Sequence, residues 1–582
     1  MKYLKLIFTL VFAMQFALVQ SQDLKWAGDF GSNDQNYVNS LITKVAGNGD
    51  YIVTGILYGT VDFDFSSGVK NLTSDRKNVF IARYSSTGSF IWVKLLKGTR
   101  GFYESSNPTI NIDKDDNIIL GMRSDHTVDF DPSDAGEYKL QSAYNDTEAA
   151  YLAKYDGNGN FIWAKKFQAD RGLYPNFIET DAVDGSIYLV GGYYYTQDFD
   201  FGAGITSLYG SSQTNTIFLA KYNPTGDLIF AKILMSTNDG VGITAMKMIN
   251  NSEFVFAGNL IGANFNPGGT AAYFYVGTNG GYVAKYKTDG TFICANAIYI
   301  ENYIGDISDV TTDRDGNMYV VGDFSGSVDF NGRTTEGQVI VAKSSYETDG
   351  FVVKYNAQAE VVWYFSIGNT DWDSCNGIEI DSKNNLLIVG LFTGEVDFDP
   401  VLSSYQTLVN PAGASVYAAS YTLDKQYINA KQLAFSPSNM VMSPGMIIKA
   451  SDDFMIGAIA YNPTDVDPSS NEVLVHTFPS DSGPREYLSV YNLNTTPITT
   501  SILNQQTASF TAYPNPVTGD VLYITNVPED ILNSRPVLTS LDGRTISLAY
   551  TQDQEKLTID LNGLAKGVYF ITMDGHSVKI IR

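Results

Sequence analysis

The sequence predicts an all-β chain: a seven-bladed β-propeller of about four strands per blade, followed by a small C-terminal β-sandwich. Three observations predict it. A repeat of roughly 67 residues recurs seven times, and a fixed period of that size is the sign of stacked or radial supersecondary units. The chain holds 52 Gly, 38 Tyr and 33 Phe, a strand-and-turn composition with few helix-favouring runs. After Tyr491 the repeat gives way to a different strand pattern.

The ends and the bulk charge come first. Lys2 and Lys5 precede an apolar run from Leu6 to Val19, and Val19-Gln20-Ser21 fits a cleavage site. Residues 1–21 are therefore expected to be a signal peptide, with Gln22 as the mature start. No later segment stays apolar for the ~18 residues a membrane helix needs, so no transmembrane segment is expected. Acidic side chains number 63 and basic ones 38, a net charge of −25. That surface repels phosphate backbones and anionic lipid, which excludes nucleic acid as the expected partner. Two cysteines, Cys294 and Cys375, are too few for a disulfide framework in a chain this long.

Four features recur in the same order along residues 22–493. A Gly ends an apolar strand at Gly55, Gly121, Gly191, Gly258, Gly322, Gly390 and Gly457. An Asp-Phe-Asp type motif starts at Asp62, Asp129, Asp198, Asn264, Asp329, Asp397 and Asp467. A Tyr closes an Ala-Lys-Tyr-like strand at Tyr84, Tyr155, Tyr222, Tyr286, Tyr355, Tyr421 and Tyr491. Eight positions later comes a large residue (Trp92, Trp163, Phe230, Trp363) or its degenerate replacement (Cys294, Asn429). Between Tyr and Trp lies a Gly- or Asn-containing turn, which supplies the positive φ of a tight hairpin. Four such strands, repeated radially, is the propeller pattern. Around Ile307 to Phe365 the strands fall at 307–312, 318–324, 351–355 and 361–365, with a further piece near 328–330 or 339–343.

The last copy lacks its own Trp strand, because Thr499 stands at that position. Leu24-Lys25-Trp26 looks like the missing piece: Trp26 precedes Gly55 by 29 residues, as Trp92 precedes Gly121. The N-terminal strand is thus expected to close the ring and remove a free sheet edge. The aromatic at the Trp position is expected to fill the wedge between blades, and the Gly to let backbones approach or bulge.

Asp313-Arg314-Asp315-Gly316-Asn317-Met318-Tyr319-Val320-Val321-Gly322 resembles the bacterial β-propeller repeats of the D-x-x-G-N-x-Y-V-x-G type. The resemblance covers about residues 24–493 and implies fold alone, since propellers host many activities. Residues 153–163 also resemble the tryptophan-docking repeat of quinoproteins. Tyr155 stands where that family has Asp, and its vicinal Cys pair is missing, so the fold is carried over and no cofactor is expected.

Residues 494–509 read as a linker. Residues 510–582 open with Tyr513-Pro514-Asn515-Pro516, turn at Asp542-Gly543-Arg544, continue through Leu564-Ala565-Lys566-Gly567-Val568-Tyr569 and end basic and apolar. That order closely resembles the type A C-terminal sorting domain of type IX secretion cargo in Bacteroidetes-type bacteria. The sorting motif is Tyr513, Pro514, Asn515, Pro516, Gly543, Gly567 and Tyr569. The resemblance implies engagement of the type IX machinery, export across the outer membrane, removal of the tag and attachment to surface lipopolysaccharide.

Chemistry is sparsely marked. The Asp-Phe-Asp carboxylates recur in nearly every copy, so they read as turn caps beside an inward Phe, in preference to calcium ligands. His126, His476 and His576 are isolated, so no zinc site is expected. Residues that break the repeat are where a site is expected, and Arg100, Arg123, His126 and Arg171 do so. They are the candidate ligand-binding residues for an anionic sugar or peptide, with His126 read as a surface residue. The functional expectation is a binding module for an extracellular glycan or protein, secreted or held on the cell surface. The alternative is a polysaccharide lyase or glycosidase on the same scaffold.

Overall fold

A computed structural model describes residues 24–492 apart from 31–36, 100–107, 143–148, 168–171, 278–279, 302–304, 333–338, 344–346, 400–405, 436–440, 449–451, 461–463, 467–473 and 476–484. It also describes residues 511–581 apart from 514–516, 518, 526–535, 541–544, 547–549, 553–555, 563, 565, 567 and 574–575. The fold is all-β, with no α-helix among the described residues. Two compact units divide the chain, Met1–Thr495 and Thr496–Arg582.

The first unit is built from four-stranded antiparallel meanders within residues 37–98, 109–166, 173–241, 245–300, 307–367 and 374–435. The three strands Val441–Ile448, Asp453–Ala460 and Arg485–Asn492 form a further sheet, and its fourth strand comes from the other end of the chain. Leu24–Asp29 pairs antiparallel with Arg485–Asn492, Trp26 opposite Val490 and Ala27 opposite Ser489. First strands of neighbouring meanders pack on one another: Tyr37–Val45 against both Thr109–Ile112 and Val441–Ile448, Thr109–Ile112 against Leu173–Thr180, and Ile307–Thr312 against both Ala245–Ile249 and Ser374–Ile380. The central strands of the meanders are buried on both faces, as the unbroken burial of Ile118–Ser124 and Asp349–Tyr355 shows.

The repeated residues form one hydrogen-bonded unit. Six of the recurring tyrosines donate their hydroxyl to the carbonyl of the motif Phe: Tyr84 to Phe63, Tyr155 to Phe130, Tyr222 to Phe199, Tyr286 to Phe265, Tyr355 to Phe330 and Tyr421 to Phe398, at 2.7–3.1 Å. Tyr491 makes the same bond to Val466, which corrects the start of the last motif from Asp467 to Asp465: Asp465 takes the ladder place that Asp129 and Asp329 hold, and Val466 stands where the other copies have Phe. All seven rings are buried, so each hydroxyl needs a partner and the loop carbonyl supplies it. The first motif Asp closes the same loop from the other side. Asp62 accepts from the backbone N–H of Asp64 and Lys70, and Asp198 from those of Asp200 and Thr206. Capping occupies that carboxylate oxygen, as the sequence led us to expect.

The recurring Gly has a steric reason. A Cβ on Gly191, Gly258, Gly322 or Gly390 would fall 1.9–2.1 Å from the carbonyl oxygen of Tyr174, Gly242, Asp306 or Ser374. These are backbone atoms entering the neighbouring first strand, where the register is broken by a bulge in three of the four cases.

Neighbouring meanders are locked through the Trp strand. The indole N–H of Trp92, Trp163 and Trp363 donates to Gly157, Pro224 and Leu423 of the next meander, at 3.2–3.3 Å. Each acceptor lies two residues beyond the next Tyr. The cation before the Tyr aims at the same carbonyl, with Arg83 on Gly157, Lys154 on Pro224 and Lys354 on Leu423. Gly88 and Gly159, at φ 81° and 73°, turn the hairpins beneath Trp26 and Trp92. Where Trp is replaced, Cys294 reaches Ala357 at 3.5 Å, a contact of the same kind with a smaller group.

One expectation is sharpened. The pieces near Val328 and Val339 are strands Ser327–Asp329 and Val339–Val341, and they extend the preceding meander, with Tyr299 opposite Asp329. They do not join their own meander.

The second unit holds two four-stranded antiparallel sheets. Leu522, Ile524, Leu557 and Ile559 of one share a buried core with Leu538, Tyr569, Ile571 and Ile580 of the other, which is sandwich packing.

Candidate functional site

In every meander the first and second strands run antiparallel, so the segment entering the first strand and the segment leaving the second emerge from one edge of the sheet. The described candidate residues lie on that edge. Arg123 is the penultimate residue of the strand Ile118–Ser124, buried, with its guanidinium 3.9 Å from the centroid of the Tyr174 ring, which enters the next meander. Burial pulls the Arg123 pKa below its ordinary value, opposed by the Tyr174 phenol. The contact is a cation–π clamp across two meanders. His126 corrects the expectation of a surface residue. It is 6% exposed, and its Nδ1 lies 2.5 Å from Asp125 Oδ1. The connector folds back under itself through Ser124, whose hydroxyl meets His126's backbone, so the imidazole is packed inward. Arg100 and Arg171 lie outside the described residues.

The same edge carries a second group that the sequence reading missed. Asp323 follows Gly322, Asp349 begins a third strand and Asp373 enters a first strand. Asp373 accepts from the backbone N–H of Asn369 and Thr393 at 2.7 and 2.9 Å. Asp349 accepts from Lys343 N at 3.1 Å through one oxygen, while its Oδ1 is buried and makes no hydrogen bond. Burial pushes Asp349 up to about 6, Asp323 to about 7 and Asp373 to about 8; Asp306 adds to Asp323, and Asp349 and Asp371 add to Asp373. Cys375, bonded to the Tyr417 hydroxyl at 3.1 Å, is pushed up to about 12 by burial and by these carboxyls. Both cysteines are free thiols.

The signal that would have found them is a comparison at fixed offsets. One residue past the repeated Gly the chain has Ile56, Met122, Gly192, Asn259, Asp323, Leu391 and Ala458. Six before the repeated Tyr it has Asn78, Ala149, Thr216, Gly280, Asp349, Ser415 and Arg485.

These acids carry a stability consequence. A carboxyl whose folded pKa is raised contributes fully below the unfolded value of ~4, and that contribution is lost as pH rises through the folded value. For Asp349 the window is the span from there to about 6. Asp349→Asn is therefore expected to stabilise the chain by about 1–2 kcal/mol at pH 8 and to be neutral near pH 4. Thermal unfolding at the two pH values checks it; equal effects at both would contradict it. Position 78 already holds Asn at the equivalent place, taking Gly98 N at 2.9 Å.

Exposed aromatics occur along the repeats. Trp372 is 64% exposed beside Asp373, Tyr195 is exposed in the connector after the strand Ile187–Tyr193, and Tyr273 and Tyr275 are exposed on a short strand paired with Glu253–Asn264. The inner strands, by contrast, are closed by polar residues at one repeat position. Lys44 pairs with Glu179 at 3.7 Å and Lys247 pairs with Glu379, each joining meanders two apart. Asn111 and Thr311 bond to the same two carboxylates.

Among the described residues no cluster of three or more His, Cys, Asp or Glu is placed to hold a metal. No helix among them is long and apolar enough to cross a membrane. Of the sorting motif, Tyr513 ends the strand Thr511–Tyr513 opposite Tyr523, and Tyr569 is buried in the strand Val568–Met573. Pro514, Asn515, Pro516, Gly543 and Gly567 lie outside the described residues.

The molecule is thus an all-β protein of antiparallel repeats with a separate C-terminal β-unit. Residues 511–582 match the secretion system C-terminal sorting domain family. The chain therefore carries a type IX sorting domain, the mark of an exported protein. An uncharacterized WD repeat-containing protein of Acanthamoeba polyphaga mimivirus is 22% identical over 458 residues, 64% of this chain and 31% of that protein. The chain thus spans about a third of that relative's length. A protein of unknown function from Dyadobacter fermentans is similar at 8% identity and TM-score 0.35, over 80% of this chain and 97% of that one. A PL25 ulvan lyase is similar at 10% identity and TM-score 0.30, over 77% and 85%. Neither likeness bears on activity.

Proposed function

We propose that residues 22–493 form one seven-bladed, ring-closed propeller that binds an extracellular glycan or protein. Residues 1–21 serve as its signal peptide, residues 494–509 as a linker and residues 510–582 as its type IX export tag, leaving the propeller secreted or on the cell surface. The observation that carries the binding reading is Trp372, held 64% exposed on the connector edge, with further exposed rings at Tyr195, Tyr273 and Tyr275. Exposed large aromatics cost solvation, and flat rings stack on sugar faces or anchor a protein partner with little entropy loss. The closed inner strands favour a ligand on the edge over one threaded along the axis.

A glycan array followed by a reducing-end assay tests it. The expected result is retention of a polysaccharide without new reducing ends, with Trp372→Ala weakening retention about tenfold. New reducing ends that vanish with Asp373→Asn would replace this reading with that of a polysaccharide-degrading enzyme.

A further inference from the structure

The fourth strand of the first meander ends on the same edge, and beside it lies a cleft of about 390 Å³, open to solvent. That volume is in the range of small-molecule sites. Its floor is tied by side-chain hydrogen bonds. Ser74 donates to the Arg76 carbonyl and accepts from the Asn78 amide, both at 2.7 Å, while Asn78 Oδ1 accepts from Gly98 N. Ser74 and Asn78 are buried, and Leu95 supplies an apolar wall. Arg76 and Lys97 stand at the rim with their charged heads toward water, against the one carboxylate of Asp75, which lies 3.6 Å from Arg76. In a chain of net charge −25, a lining of two cations and one anion is a local reversal of sign, and a reversal of that kind concentrates anions.

We propose that this cleft binds a sugar carrying one negative charge, its acidic group held by Arg76 and Lys97 and its ring by the Leu95 wall and the hydroxyls of Thr73 and Thr99. The assignment rests on the edge-binding reading above and names its ligand class. A guanidinium fork beside an ammonium suits a carboxylate or a sulfate. A long polyanion would meet the acidic surface beyond the cleft, so the charged unit is expected to be isolated, as at a chain end or among neutral sugars.

Calorimetric titration of the full chain with D-glucuronate, D-glucose 6-sulfate and D-glucose tests this. Glucuronate or the sulfate should bind, and glucose should bind at least about tenfold more weakly, the worth of one charge-assisted hydrogen bond. The first two arms tell carboxylate from sulfate. Arg76→Gln with Lys97→Met should abolish the preference while leaving the fold intact by circular dichroism, since both side chains are exposed. Equal binding of all three sugars, no binding of any, or a preference that survives both substitutions would overturn the assignment. Should Trp372→Ala weaken polymer retention while the Arg76/Lys97 variant does not, the edge-binding reading stands and this one falls.

Discussion

A chain that begins at residue 31 is expected to lose its monomeric fold. The strand Leu24–Asp29 is the fourth strand of the sheet that ends at Asn492. Its Trp26 ring stacks on Phe65 at 6.3 Å and meets Tyr51 edge-on at 5.6 Å. Phe30, just beyond it, is fully buried among Phe63, Phe65 and Phe80, with centroids 5.2–6.2 Å away. Truncating one buried Phe costs about 3–5 kcal/mol, so removing both rings and a ladder approaches the whole margin of about 5–15 kcal/mol for a domain. The exposed edge of Arg485–Asn492 would then pair with other chains. Size-exclusion chromatography should show association, and a synthetic peptide of residues 22–31 should restore the monomer. A truncated chain that stays monomeric with unchanged melting would contradict this.

The second large effect concerns the repeated glycine. Gly390→Ala places a methyl 2.0 Å from the Ser374 carbonyl oxygen and 2.7 Å from the Tyr417 hydroxyl. The first obstacle is backbone, so the strand itself must move, and the expected loss is about 3 kcal/mol or more. Gly457, at the same repeat position, meets nothing nearer than Leu488 Cδ2 at 3.5 Å, an ordinary contact. Gly457→Ala should therefore cost under about 1 kcal/mol. Denaturant midpoints of the two variants check the contrast. Equal losses would mean that the glycine serves chain flexibility and not close approach.

These two positions show why so much of the scaffold is readable in the chain. A residue that must repeat because every meander needs it, such as Tyr222 on the Phe199 carbonyl or Asp198 on its loop amides, announces itself by recurrence. The role of Trp26 follows from its spacing alone. The edge is harder to read, because its chemistry lies in departures from the repeat. Asp349 and Asp373 stand 24 residues apart, and their shared environment exists only once two meanders pack. His126 looks like a loop residue in the sequence, and the fold of its connector buries it. The piece near Val328 pairs with the preceding meander, a partnership with no local pattern to betray it. Trp372 breaks no repeated position, and only its exposure marks it.

The central claim is that the first strand and the last share one sheet. Ala27→Cys with Ser489→Cys, positions directly opposite in the antiparallel register, tests it most directly, because a disulfide needs Cα atoms within about 4.4–6.8 Å. Under mild oxidation, peptide mapping should recover the 27–489 link within monomers in high yield. Links found only between molecules, or none while both thiols stay reactive, would contradict the closed ring.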